Sequence, residues 1–302
     1  MKSSHATFYV SLSLALVSFA QAADTIRMTA KPGTTLTGTF QSNTQILDMK
    51  ASVSPQPGKK VSKEELEQYK NTFANVPKNL PNTTQSFPAT LKVLATKPDG
   101  STPVQMKMQI PMGQEGKNST ITINTFYSKN GKISMKLEPS KDPMLQKIMQ
   151  GLTDSLLNNK ESQLFYQKAW NVGESVTQTV SMPFDQFTGG APVKFSGDFK
   201  VTTKTTYKGK NAAGEFVFQS TSTAKNSVLK ATDAKGRMVM QMNIASLSGT
   251  SETRIRPDGL PGYSKTNQTM KMTMTLNTPE MPVQVKTDTS LKIEQVQTWK
   301  QK

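Results

Sequence analysis

The chain of 302 residues has no cysteine and a single histidine, His5. That histidine lies in a leader expected to be removed, so the mature protein has neither residue type. Ser-His-Asp and Cys-His catalysis are thereby excluded, as are zinc sites built on the usual His and Cys ligands. Glycine-rich phosphate loops of the Walker or dinucleotide kind are also missing. Acidic residues number only 21 and are scattered, so no carboxylate pair stands out for glycoside chemistry. These absences predict a protein that is not an enzyme and carries no cofactor. Arginine is scarce as well: only Arg27, Arg237, Arg254 and Arg256 among 37 basic residues. Lysine is a hydrated point charge, whereas arginine reads phosphates and bases bidentately. A formal net charge of +16 made almost wholly of lysine predicts a solvated basic surface or attraction to anionic envelope components. No nucleic-acid partner is expected.

Long apolar runs are missing except at the start. There Lys2 precedes an apolar stretch from Phe8 to Phe19, and Ala20-Gln21-Ala22 follows. This pattern predicts a secretory signal peptide over residues 1–22, cut between Ala22 and Ala23. The run falls short of the roughly 20 residues of a membrane span, and no later segment approaches one, so no transmembrane anchor is expected. An exported chain without cysteine, yet long enough to bury a core unaided, points to the bacterial periplasm, with the cell exterior as the alternative.

What fills the rest is alternation. Stretches such as STITINTFYS, GEFVFQSTST and VQVKTDTSLKIEQV place apolar or β-branched residues at every second position. Between such stretches lie Asp99-Gly100, Asn130-Gly131, Lys235-Gly236 and Asp258-Gly259. This is the pattern of antiparallel strands joined by tight turns. In TQILDMKASV, Ile46 falls on one face and Leu47, Met49, Ala51 and Val53 on the other after a change of phase. Two segments read instead as amphipathic helices. Ser62 and Glu65 form a capping box ahead of a Leu66, Tyr69, Phe73, Val76 stripe. Asp142-Pro143 opens a second, with Leu145, Ile148, Met149, Leu152 and Leu156 at helical spacing. Proline-bearing loops over Ser54–Val61 and Pro77–Pro88 flank the first helix, which could then act as a movable cover. The expected fold is mainly β: one or more curved antiparallel sheets or an open half-barrel, with two short amphipathic helices. Residues 23–302 form a single exported domain, built from two similar halves, 23–140 and 165–302, if the faint likeness of their methionine segments marks a duplication.

Those segments are the oddest feature. VQMKMQIPM carries Met106 and Met108, RMVMQMNI carries Met238, Met240 and Met242, and TMKMTMTL carries Met270, Met272 and Met274. Residues two apart on a strand share a face, so each set is one row of thioethers. Three readings are open. The rows are plain core, or they line a cavity for a hydrophobic or amphiphilic ligand such as a lipid, which the flexible, polarizable side chain suits. The third is Cu(I), which soft thioethers select, although one row alone cannot converge on an ion. Arg254 and Arg256, in RIRPDG, are candidate anion contacts, with Glu252 on the same face as their competing partner.

Trp170-Asn171-Val172-Gly173-Glu174-Ser175, followed by a meander and by SGTSETRIRPDGLPGYSKTNQTMKMTM up to Met274, resembles a group of uncharacterised bacterial secreted β-rich proteins over residues 170–274. That resemblance implies an exported, non-enzymatic protein and supplies no functional residues. Three classes remain open: a carrier or binding protein of the envelope, a structural envelope protein, and a methionine-based Cu(I) binder.

Overall fold

The computed structural model describes residues 23–74, 83–112, 117–139, 165–166, 168–183 and 193–302. The alternating stretches pair into one 12-stranded antiparallel sheet. From one edge it runs β6 (Ile133–Leu137), β5 (Lys117–Tyr127), β4 (Thr102–Met112), β3 (Thr83–Val93) and β2 (Thr35–Pro55). It continues through β14 (Val283–Gln301), β13 (Pro261–Leu276), β12 (Met238–Ile255), β11 (Phe216–Asp233), β10 (Asp198–Lys210) and β8 (Ser175–Pro183). The short β9 (Val193–Ser196) pairs with the end of β11. The first half of the chain thus builds one wing and the second half the other, joined where β2 meets β14. The edge strands β6 and β8 do not pair with each other, so the sheet is not closed. A two-stranded ribbon, β1 (Asp24–Thr25) with β7 (Ala169–Trp170), stands apart.

All four glycine dipeptides expected to turn do so. Gly100, Gly131, Gly236 and Gly259 have positive φ, and each donates its N–H to the carbonyl three residues earlier. Gly259 is constrained twice over: a Cβ there would lie 2.3 Å from the Arg27 carbonyl oxygen. The N-terminal segment crosses this turn closely, with Thr29 and Ala30 donating to the Asp258 carbonyl at 2.9 and 3.1 Å.

The capping box forms as expected. Glu65 N–H donates to Ser62 Oγ at 3.1 Å, and Ser62 N–H donates to Glu65 Oε2 at 3.0 Å. It opens α1 (Lys63–Ala74), which lies against β2 and β14. Leu66, Tyr69 and Phe73 are its half-buried residues, as the stripe predicts, while Val76 lies outside the described residues. The second expected helix, from Asp142, lies outside the described residues. The loop expected over Pro77–Pro88 ends earlier, because β3 begins at Thr83. Pro88 is tolerated there since β4 joins β3 only from Ala89 onward, leaving that stretch with a neighbour on one side only among the described residues.

Register divides the sheet into two faces. On the core face the rows run Leu229, Met242, Met274, Thr287, Ala51, and likewise Phe218, Thr253, Ser264, Gln297, Phe40, Phe87. The opposite face takes Lys50, Lys107, Lys204, Lys230, Lys271 and Lys292, all exposed. Leu47 corrects the sequence reading. It is the extra residue of a bulge between Ile46 and Asp48 and is 51% exposed. The bulge keeps Ile46 on the same face as Met49, Ala51 and Val53. Extra residues Ala245 on β12 and Asn226 on β11 stand at the same level. Bulges bend and twist strands, and these three line up as a crease across the sheet.

Two buried clusters sit on the core face toward one end. One gathers Leu36, Leu91, Val93, Val104, Leu260 and Trp299. The other gathers Ile26, Trp170, Tyr207, Phe216, Phe218 and Ile255. Ile26 belongs to the second and Ala30 to the first, so the N-terminal segment straps them together.

Candidate functional site

The core face holds two adjoining cavities. One, of about 310 Å³, is lined by Phe40, Phe87, Met108, Val296 and the polar ends of Ser42, Thr266 and Gln295. The other, of about 370 Å³, takes walls from both wings: Tyr127, Ile133 and Met135 from β5 and β6, and Ile255, Pro261 and Trp299 from β12 to β14. Phe165 and Tyr166 complete it. Ser264 and Gln297 line both cavities, so the two spaces meet there.

Aromatic contacts fix these walls. Phe40 and Trp299 meet edge to face with centroids 5.8 Å apart, and Tyr127 meets Tyr166 at 5.2 Å. Phe165 packs on Phe218 at 4.6 Å. The Tyr166 hydroxyl donates to the Gly259 carbonyl at 2.8 Å. Burial pushes the Tyr127 phenol up to about 12, partly offset by its hydrogen bond with Tyr166. Burial likewise drives Tyr166 well above its ordinary value, with Tyr127 and Asp258 adding to the shift. Both tyrosines are therefore neutral at physiological pH.

Trp299 is held by the absence of a side chain opposite it. Its Cε3 and Cδ2 lie 2.5 and 2.8 Å from where a Cβ on Gly38 would stand, so the ring rests on bare backbone. The residue is 6% exposed, yet Nε1 has no hydrogen-bond partner among the described residues. Asn277 Oδ1 is the other enclosed polar atom of that kind.

The predicted site residues fall in three places. Met106 and Met108 are on the core face, packed against the Trp299 cluster, and Met108 lines the smaller cavity. Met240, Met242, Met270, Met272 and Met274 share that face farther along the strands and are half-buried. Met242 stands directly opposite Met274, while Met272 faces Ile244 and Met270 faces Leu247. Met238 leaves the row, a correction to the sequence reading. A register shift pairs it with Thr232, which turns it to the lysine face, 37% exposed.

Arg254 and Arg256 do not act together. Arg254 lies on the lysine face, donating from Nε to Glu252 Oε1 at 2.7 Å, with its guanidinium 4.8 Å from the Tyr263 ring. The hydrogen bond to Glu252 raises its pKa further. Arg256 follows the end of β12 and reaches Asp258 at 3.2 Å and Gln301 at 2.9 Å. An anion at either site would compete with a carboxylate already in place. Arg254 does line a larger recess, about 670 Å³, with Lys204, Lys208 and Lys265. That recess is polar and open, on the face away from the aromatic walls. Among the described residues no cluster of His, Cys, Asp and Glu is placed to hold a metal ion, and no helix is long and apolar enough to cross a membrane.

Trp299, Phe40, Phe87, Tyr127 and Tyr166 were not singled out in the sequence. They are spread from position 40 to position 299 and form no local motif. The available signal was Gly38, an isolated glycine in an alternating strand, which marks a close approach. In comparison with known proteins, the chain matches no family model and no curated protein sequence.

Proposed function

We propose that this is an exported, non-enzymatic envelope protein that binds a hydrophobic or amphiphilic envelope component on the core face of its sheet. The leader places it in the periplasm, or alternatively outside the cell. The observation that carries the reading is the pair of meeting cavities with aromatic and aliphatic walls. Each is within the range of about 300–1,000 Å³ common to small-ligand sites. In this reading the sheet is an open half-barrel. Its support is that Ile133 and Tyr127 from one wing and Pro261 and Trp299 from the other wall the same space. The methionine rows of β12 and β13 extend the apolar floor. The lysine face supplies long-range attraction to anionic head groups.

Native mass spectrometry of the mature protein from its own periplasm tests this. A bound mass matching a phospholipid or fatty acid is the expected result. A clean apo mass, together with failure to take up a fluorescent apolar probe, would leave a structural envelope protein with the rows as core. One observation favours a second reading. Met242 opposite Met274, with Met240 diagonal to Met274 and Met272 diagonal to Met242 on the same face, puts each of four thioethers within reach of at least one other. Stoichiometric uptake in a Cu(I) titration under reducing conditions would support it, and its absence would remove it.

A further inference from the structure

The recess of about 670 Å³ on the lysine face is built by β10, β11, β12 and β13. Register lays two rows of side chains next to each other on its floor. One runs Thr206, Gln219, Glu252, Lys265, and the other Lys204, Thr221, Thr250, Asn267. Four strands span about 14 Å, the length of a short oligosaccharide. The charges are unevenly placed. On β12 and β13, Arg254 is bound to Glu252 at 2.6 Å and Lys265 to Glu294 at 2.8 Å. On β10, Lys204 and Lys208 stand on either side of Thr206, exposed and with no ion pair among the described residues. Lys208 is the extra residue of a bulge between Tyr207 and Gly209. Beyond that bulge Lys210 pairs with Phe216 and holds Asp24 on the core face. The uncompensated charge of the recess is therefore concentrated at its β10 end.

We propose that this recess binds an acidic saccharide, with its acidic group held between Lys204 and Lys208 and its hydroxyls laid over Thr206, Gln219, Thr221 and Thr250. It is a second site, independent of the core-face reading. The acid follows from the two lysines, since hydrogen bonds between charged groups are the strong ones. Glu252, farther along the floor, repels a second acidic group there, which keeps the acid at the β10 end. The sugar follows from the floor itself. Hydroxyls and carboxamides both donate and accept, as sugar hydroxyls do. Among the described residues no aliphatic side chain lines the recess, so an acyl chain has nothing to pack against. Its one ring, Tyr263, already carries the Arg254 guanidinium at 4.8 Å, so it is engaged and does not serve as a platform for a stacked nucleobase.

The test uses the full mature chain and three probes: sialyllactose, a trisaccharide with one terminal carboxylate, its neutral part lactose, and acetate. Each is titrated while amide shifts are followed in the ¹H–¹⁵N spectrum. Sialyllactose is expected to shift Thr206, Gln219, Thr221 and Thr250 saturably. It should bind about tenfold more tightly than lactose or acetate, as one hydrogen bond to a charged group implies, and more weakly as salt rises. Lys204→Gln with Lys208→Gln should lower its affinity about tenfold for the same reason. Lys230→Gln with Lys271→Gln removes equal charge elsewhere on the same face and should leave the affinity unchanged. The wild-type titration needs no variant, so a misfolded variant does not decide the matter. If sialyllactose does not bind, binds no better than acetate, or shifts residues along the whole lysine face, the site is overturned. Equal losses from the two lysine pairs overturn it as well, because the face is then a general basic surface. Uptake of an apolar probe on the core face is read separately, so either site can fail while the other stands.

Discussion

The two ends of the core face are made from the same strands by different chemistry. At one end, beside the strap of residues 23–33, the rows carry Phe40, Phe87, Tyr207, Phe218 and Trp299, and two cavities open between the wings. At the other, β12 and β13 carry five methionines, flanked by Leu229, Val283 and Val285, which are all but fully buried. The crease of Leu47, Ala245 and Asn226 crosses between Met270 and Met272, near the change. The difference shows how shape follows from side-chain stiffness. Rigid rings meet at edges and leave space between them, whereas thioether chains bend into whatever gap exists.

Truncating the rigid end should cost most. Trp299→Ala is expected to lower stability by about 3–5 kcal/mol and to abolish probe uptake, read by urea unfolding and fluorescence. Gly38→Ala attacks the same contact from below, since its Cβ would stand 2.5 Å from the ring and 2.6 Å from the Thr298 carbonyl oxygen. Overpacking of this kind costs about 1–3 kcal/mol, and the Trp299 emission should shift. If Gly38→Ala is neutral, the ring is not held as described. At the flexible end, Met272→Ala should cost about 2 kcal/mol, the low side of buried methionine truncations, because the side chain is only half-buried. Replacing Met270, Met272 and Met274 together with leucine should cost less than about 1.5 kcal/mol per site. A much larger loss there, with binding also lost, would move the functional centre to the methionine end. The last effect appears only at alkaline pH. Tyr127 ionises near 10 when unfolded and at about 12 when folded. Its stabilising contribution is therefore complete below about pH 10 and is lost as pH rises toward about 12. Tyr127→Phe should flatten that alkaline slope.

Much of the sheet was legible because a period of two, broken by Asp-Gly and Asn-Gly, is a local signal. The capping box at Ser62 was legible for the same reason. What escaped was set by pairing across the sheet. Leu47 carries the same alternation as its neighbours, and only the strand opposite decides that it is the residue pushed out. Met238 belongs to its row by spacing and leaves it by a register shift at Ala231. The cavities were hidden more deeply, since each wall contributes one or two residues and no segment contains the set. The methionines drew notice through repetition, while the unpaired indole sits near the chain end in QTWKQK, with nothing in those residues to announce it.

The seam between the wings has a consequence for timing. β2 and β14 lie far apart in sequence, and Leu36 pairs with Gln301. The wings cannot be joined until β14 has been made, and ladders between such distant segments form slowly. The seam needs β2 and β14 together, so it closes after the local hairpins within either wing. Late closure of the seam is thus a delay that the topology itself sets.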